Sequence, residues 1–120
     1  MSKVKTIIIN VSDLIEIALL IVQDDQTKNN LKDMVLFWVG GQSRIDEYGG
    51  NIEKAFCDQF ARRFFMDAIE DGHFRALNRF KNGEVEGYDK MDGSSGITIK
   101  EATEFESDDL EVTITDMGCV

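Results

Sequence analysis

Phe56, Phe60 and Phe64 recur every four residues within the stretch 51–70, and Cys57, Ala61, Phe65 and Ala68 fill adjoining positions of the same helical wheel. At about 100° per residue these positions spread over about 180° of a helix, an apolar face too broad to leave in water. A chain carrying such a helix must build its core around it. The remaining segments therefore have to supply a sheet, further helices, or both, as cover.

Strand material lies at both ends of the sequence. Residues 4–11 read Val-Lys-Thr-Ile-Ile-Ile-Asn-Val, β-branched and apolar on both alternating faces around Ile7, Ile8 and Ile9, which predicts a central strand. Near the other end, Ile97 and Ile99 alternate with Thr98 and Lys100, and Leu110, Val112 and Ile114 alternate with Glu111, Thr113 and Thr115. Joined around Glu106, Ser107, Asp108 and Asp109, these two runs predict a hairpin, one strand of which pairs with the N-terminal strand.

Between the ends the spacing favours helices. Ser12 precedes Asp13 and Glu16, and Leu14, Ile17, Ala18 and Ile21 recur at three and four residues, which predicts a helix running to about Gln23. A second helix starts at Thr27 or Asn29, carries Leu31, Met34, Val35 and Trp38, and stops at Gly40 and Gly41; a competing strand reading covers residues 34–39. Residues 40–50 have two glycines at each end and read as a loop. After the phenylalanine helix, a shorter amphipathic segment with Phe74, Leu77 and Phe80 closes at Asn82 and Gly83, and the glycine-rich stretch 83–96 reads as a long connection that allows flexibility. The fold class is α+β: a single small sheet, made of the N-terminal strand plus the C-terminal hairpin, packed against three or four helices. At 120 residues the chain is expected to form one domain over 1–120.

Histidine and cysteine usage excludes most catalytic centres. His73 is the sole histidine, so no His-based triad or two-histidine metal site fits within one chain. It sits just past the Gly72 helix end, where a partial positive charge suits the terminal carbonyls. Cys57 falls on the phenylalanine face, where a thiol stays neutral and inert. Cys57 and Cys119 form no CxxC pair, which suits a reduced cytoplasmic setting. Aligned as a calcium loop with Gly93 at the sixth position, residues 88–99 place Tyr88 first, Lys90 third and Ile99 twelfth, where oxygen ligands are required. Neither glycine pair fits a phosphate-binding motif. No catalytic residue, metal or cofactor is expected. The apolar run 17–22 is far shorter than a membrane span, and the three isoleucines near the N-terminus are too few for a signal-peptide core.

Charge is the informative feature. Thirteen basic against 23 acidic side chains leave a net charge of −10, which opposes direct binding to nucleic acid or an anionic membrane and favours cationic partners. Residues 82–120 hold 2 basic and 11 acidic side chains, nearly all of the excess. The five cations Arg62, Arg63, Arg75, Arg79 and Lys81 form the one basic concentration; Arg62 and Arg63 read as a solvated helix surface with Asp58 and Asp67 close by. From residue 101 to 111, Glu101, Glu104, Glu106, Asp108, Asp109 and Glu111 follow one another without a basic residue.

Repulsion among those carboxylates costs stability, and a solubilising sheet edge is one use for them. The functional expectation is a partner-binding surface made of the six acids with Phe105 as apolar anchor, docking into a basic groove of a larger protein and able to imitate a nucleic acid's phosphates. The expected role is therefore a non-enzymatic cytoplasmic inhibitor or modulator, in the manner of small acidic phage or plasmid proteins that block host nucleases or defence complexes. Trp38 and Tyr48 are further apolar contacts. Alternatives are a small-ligand domain with a pocket beside Phe56, Phe60 and Phe64, or a minor enzyme subunit. A homodimer pairing the basic helix of one copy with the acidic hairpin of another is a third.

Overall fold

A computed structural model describes residues 3–11, 15–102 and 112–119. The architecture is α+β, a small sheet packed against helices, as the patterning predicts; among the described residues the sheet is antiparallel with four strands, one more than expected, and the helices number four. The first strand, β1 (Val4–Val11), pairs antiparallel with the next, β2 (Ile15–Val22), with Val11 opposite Ile15 and Val4 opposite Val22. This replaces the helix expected before Gln23. Ile15, Ile17, Leu19 and Ile21 repeat every second residue and are all buried, so the period-2 pattern prevails over the helical one. Pairing with β1 then places them beside Ile7, Ile9 and Val11 on one buried face.

Helix α1 (Asp25–Phe37) starts where the Asp24 carboxylate accepts the Thr27 N–H at 2.7 Å and ends at Trp38, so the strand reading of this segment is not realised. The expected loop over 40–50 contains a two-turn helix, α2 (Gly41–Glu47). Its hydrophobic signal is a single buried side chain, Ile45. Helix α3 (Ile52–Asp71) occupies the expected stretch, opened by the Asn51 side chain accepting the Lys54 N–H at 3.0 Å and closed at Gly72. After that glycine comes α4 (His73–Asn82), ending at Gly83 in a left-handed conformation.

Residues 83–96 form no helix or strand beyond one bridge between Asp92 and Thr98, but they are fastened to the core. Val85, Tyr88 and Met91 are buried, and the Met91 N–H donates to the Phe80 carbonyl at 3.1 Å. At Gly96, where φ is +89°, the carbonyl accepts from the Val22 N–H at 2.8 Å, and an added Cβ would lie 2.0 Å from Thr27 Oγ1. Only glycine allows that approach.

The last two strands are β3 (Ile97–Ala102) and β4 (Val112–Cys119). Sheet order is β3-β2-β1-β4, so they lie on opposite edges and do not form the predicted hairpin; β3 pairs with β2, and β4 pairs with β1. The β1–β2 hairpin has already filled the centre, leaving each later strand one free edge. The expected pairing of the N-terminal strand with a C-terminal strand does occur, between β1 and β4.

Helix α3 lies at the heart of the helical layer. Phe56, Phe60 and Phe64 are fully buried, and Phe60 meets Phe56 at 5.9 Å, Phe64 at 5.9 Å and Phe80 at 5.0 Å between ring centroids. Tyr88 closes the same cluster. Among the described residues, no helix is long and apolar enough to cross a membrane.

Candidate interaction site

Of the seven side chains expected to bind a partner, Glu101 lies on β3, opposite Ala18 of β2 at a register shift. Glu104, Phe105, Glu106, Asp108, Asp109 and Glu111 lie outside the described residues. The strands on either side nevertheless fix what this acidic run connects. Ala102 pairs with Ile17 and Val112 pairs with Val11, so β3 ends and β4 begins at the end of the sheet where Val11 pairs with Ile15. The run links the two outer edges, roughly 14 Å apart at about 4.8 Å per strand step. It is a crossover between edges, where the sequence suggested a hairpin turn.

The basic strip on α3 and α4 is largely engaged within the molecule. Arg62 Nε donates to Asp58 Oδ1 at 2.5 Å, Arg63 Nε to Asp67 Oδ1 at 3.1 Å, and Arg79 to Asp71 Oδ2 at 2.7 Å. The first two are the i,i+4 pairs that the spacing predicts. Their carboxylates, however, are buried instead of solvated: Asp58 is 4% exposed and Asp67 5%. Asp58 also accepts from Arg44 of α2 at 3.2 Å and from the Tyr48 hydroxyl at 2.6 Å, tying α2 to α3. Burial first, and the hydrogen bond to Asp58 second, push the Tyr48 hydroxyl up to about 12. Tyr48 is thus a structural donor.

A cleft of about 560 Å³ opens where the N-terminal ends of α1 and α3 converge beside Gly49 and Gly50. Part of its charge is paired within the molecule. Lys5 Nζ sits 3.0 Å from Glu53 Oε1 and 2.8 Å from Asp116 Oδ2, while Gln23 Nε2 donates to the second oxygen of Glu53 at 3.2 Å. Those two partners, Asp116 first, hold the Lys5 ammonium well above its ordinary range, and Lys5 in turn holds the Asp116 carboxyl low. Phe56, Phe60 and Phe64, the rings expected beside a ligand pocket, fill the interior and line neither this cleft nor the groove described below.

Cys57 is buried and free, and burial, aided by the nearby Glu53 charge, drives its thiol far upward, so it stays protonated. His73 lies just past Gly72, as expected, but it is half-buried rather than a surface residue: it opens α4, with its ring edge-on to Phe64 at 6.0 Å and to Phe74 at 5.5 Å. The Asp92 carboxylate takes both the N–H and the hydroxyl of Ser94, at 3.0 and 2.6 Å, closing a turn. Among the described residues, no three His, Cys, Asp or Glu side chains gather as metal ligands would.

A smaller, shallower groove of about 360 Å³ separates α1 from residues 87–89. One wall is the α1 stripe Asn30, Asp33 and Phe37; the other is Gly87, Tyr88 and Asp89, with Met34 between. The Asp89 N–H donates to Met34 Sδ at 3.4 Å. Gly87, at φ +85°, makes the approach possible, since a Cβ there would stand 2.6 Å from the Phe37 ring.

A family model described as a protein of unknown function, DUF2528, matches residues 16–114. The chain belongs to the DUF2528 family. No curated protein and no solved structure matches it. The DUF2528 match runs from the second residue of β2 into β4, and so takes in the helical layer, the groove and the whole acidic run. The groove escaped the sequence reading, although the Asn30, Asp33 and Phe37 spacing marks one helical face; its other wall lies more than fifty residues away in sequence.

Proposed function

We propose that this chain is a non-enzymatic interaction protein that binds a larger protein bearing a basic groove or surface, and inhibits or modulates it by occupying that surface. The acidic run at residues 101–111 makes the contact, with Phe105 as its apolar anchor. A groove that ordinarily accepts nucleic acid fits this description, because a row of carboxylates imitates phosphates. The working compartment is the cytoplasm.

One observation carries the reading: the run has no basic residue of its own, and several of the chain's cations are committed to other carboxylates among the described residues. Arg62, Arg63 and Arg79, three of the five in the basic strip, are paired within α3 and α4, as are Lys5 and Arg44 at their own sites. That arrangement favours an external cationic partner over a homodimer built from strip and run. The flanking strands β3 and β4 lie at opposite edges of the sheet, so the run joins two edges that are apart in the strand order.

The test is capture from a lysate of the source organism, with the wild-type chain and the E104K/E106K/D108K/D109K variant. The expected result is a stoichiometric partner retained by the wild type at low salt, released at high salt and absent from the variant, whose melting temperature is unchanged. Equal retention by both chains would remove the acidic run from the interface.

A further inference from the structure

We propose that the groove between α1 and residues 87–89 receives an arginine side chain of the partner protein. The proposal rests on the reading of this chain as a docking protein and adds a second contact, on the side of the helical layer. Three observations converge there. Phe37 is a large aromatic residue left 54% exposed, with its ring held edge-on to Trp38 at 4.9 Å. The groove's lining includes two carboxylates, Asp33 and Asp89, and no cation. Both carboxylates belong to exposed residues, and neither takes part in an ion pair among the described residues.

The molecule already shows what completes such a set. One step away, the Arg63 guanidinium lies 5.6 Å from the centroid of the Trp38 ring while its Nε donates to Asp67. One guanidinium serves both the ring face and Oδ1 of the carboxylate there, while Asp67 Oδ2 and Trp38 Nε1 stay buried without a partner among the described residues. The neighbouring groove repeats the ring and the carboxylate, as Phe37 with Asp33 and Asp89, and lacks the guanidinium. Arginine suits this place better than lysine, because a planar guanidinium stacks on a ring and donates along its edge to a carboxylate at the same time. The volume of about 360 Å³ admits one long side chain and some of its flanking backbone, at the small end of ligand sites.

The experiment uses the isotopically labelled full chain and three probes: an acetyl-Gly-Gly-Arg-Gly-Gly-amide peptide and its lysine and citrulline counterparts. The expected result is roughly millimolar binding of the arginine peptide, as suits a single anchor, with amide shifts at Asn30, Asp33, Gly87 and Asp89. Lysine should bind more weakly and citrulline not measurably. D33N and D89N, both at exposed positions, should each weaken the arginine peptide by about two- to fivefold. Phe37→Leu should erase the preference for arginine over lysine. Equal binding of the citrulline peptide, or no shift at any residue at saturating probe, overturns the proposal. Shifts confined to residues 101–111 overturn the groove while leaving the acidic run as the docking surface. Groove shifts beside an unaltered partner capture by the charge-reversed run would remove the run instead.

Discussion

Truncating Phe60 to alanine tests whether the α3 phenylalanines are packing or a ligand box. Phe60 is 0% exposed and touches four other rings, Phe56, Phe64, Phe80 and Tyr88, at centroid distances from 5.0 to 6.3 Å. All of those rings are anchored by their own burial, so the site cannot collapse to fill the space. The loss should therefore reach the usual large range for a buried Phe→Ala change, about 3 to 5 kcal/mol. For 120 residues the unfolding entropy near the transition is about 0.25 kcal/mol/K, which converts that loss to a fall of roughly 12 to 20 °C in melting temperature. Urea unfolding followed by Trp38 fluorescence, with a thermal scan beside it, measures both quantities. Phe74→Ala, at a side chain 70% exposed, is the control and should move stability by under about 0.5 kcal/mol. A loss below about 1.5 kcal/mol for Phe60→Ala, or a rise in stability for it, would refute the packing argument and bring back a pocket beside these rings.

Other perturbations follow from particular contacts. Gly96→Ala should cost about 3 kcal/mol in chemical denaturation, because it combines a left-handed backbone with a Cβ 2.0 Å from Thr27 Oγ1; wild-type stability would show that the 83–96 connection does not dock on α1. In a Tyr88→Phe background, tyrosinate absorbance should titrate near 12 in the folded chain against an ordinary 10.0. Since the folded value is the higher one, this group's stabilisation is complete below pH 10.0 and is lost as pH rises toward 12; a midpoint near 10.0 would mean Tyr48 is not bonded to Asp58. At the other end of the scale, Lys5 holds the Asp116 carboxyl below its ordinary 3.8, so that stabilisation is present above pH 3.8 and lost as pH falls through the lowered folded value. Lys5→Met should lower neutral-pH stability by under about 1 kcal/mol and flatten the acid limb of the stability profile, and an unaltered acid limb would contradict the Lys5–Asp116 contact.

What the sequence reveals about the fold depends on how unambiguous each period is. α3 is legible because Asp58 and Arg62 break the period-2 face that Phe56, Phe60 and Phe64 would share in a strand, whereas Cys57, Ala61, Phe65 and Ala68 complete an apolar helical face. β2 was not: in Ile-Glu-Ile-Ala-Leu-Leu-Ile-Val only Glu16 is polar, so period 2 and period 3.6 both find an apolar residue wherever they fall. What decides is the neighbouring β1, to which β2 is joined by three residues, and that is tertiary information. α2 was invisible for the opposite reason, having one buried apolar side chain, Ile45, and no repeat. β3 and β4 are successive in sequence, which favours a hairpin, but the centre of the sheet is already taken by β1 and β2. The 83–96 connection looked loose by composition, yet its apolar residues Val85, Tyr88 and Met91 are all buried. The charge pattern of the site was fully readable, since charge is a property of composition. The Asp33, Phe37 and Asp89 groove was not, because its walls meet only in the folded chain.

Docking of the acidic run on a cationic surface is tested most directly by the salt-dependent affinity of the purified partner for the wild-type chain and for E104K/E106K/D108K/D109K. The account predicts wild-type binding that weakens steeply with ionic strength, and a loss of at least about a hundredfold on reversing four charges, with the melting temperature unchanged. Affinity within about twofold of wild type in the variant, at low and high salt alike, would contradict it.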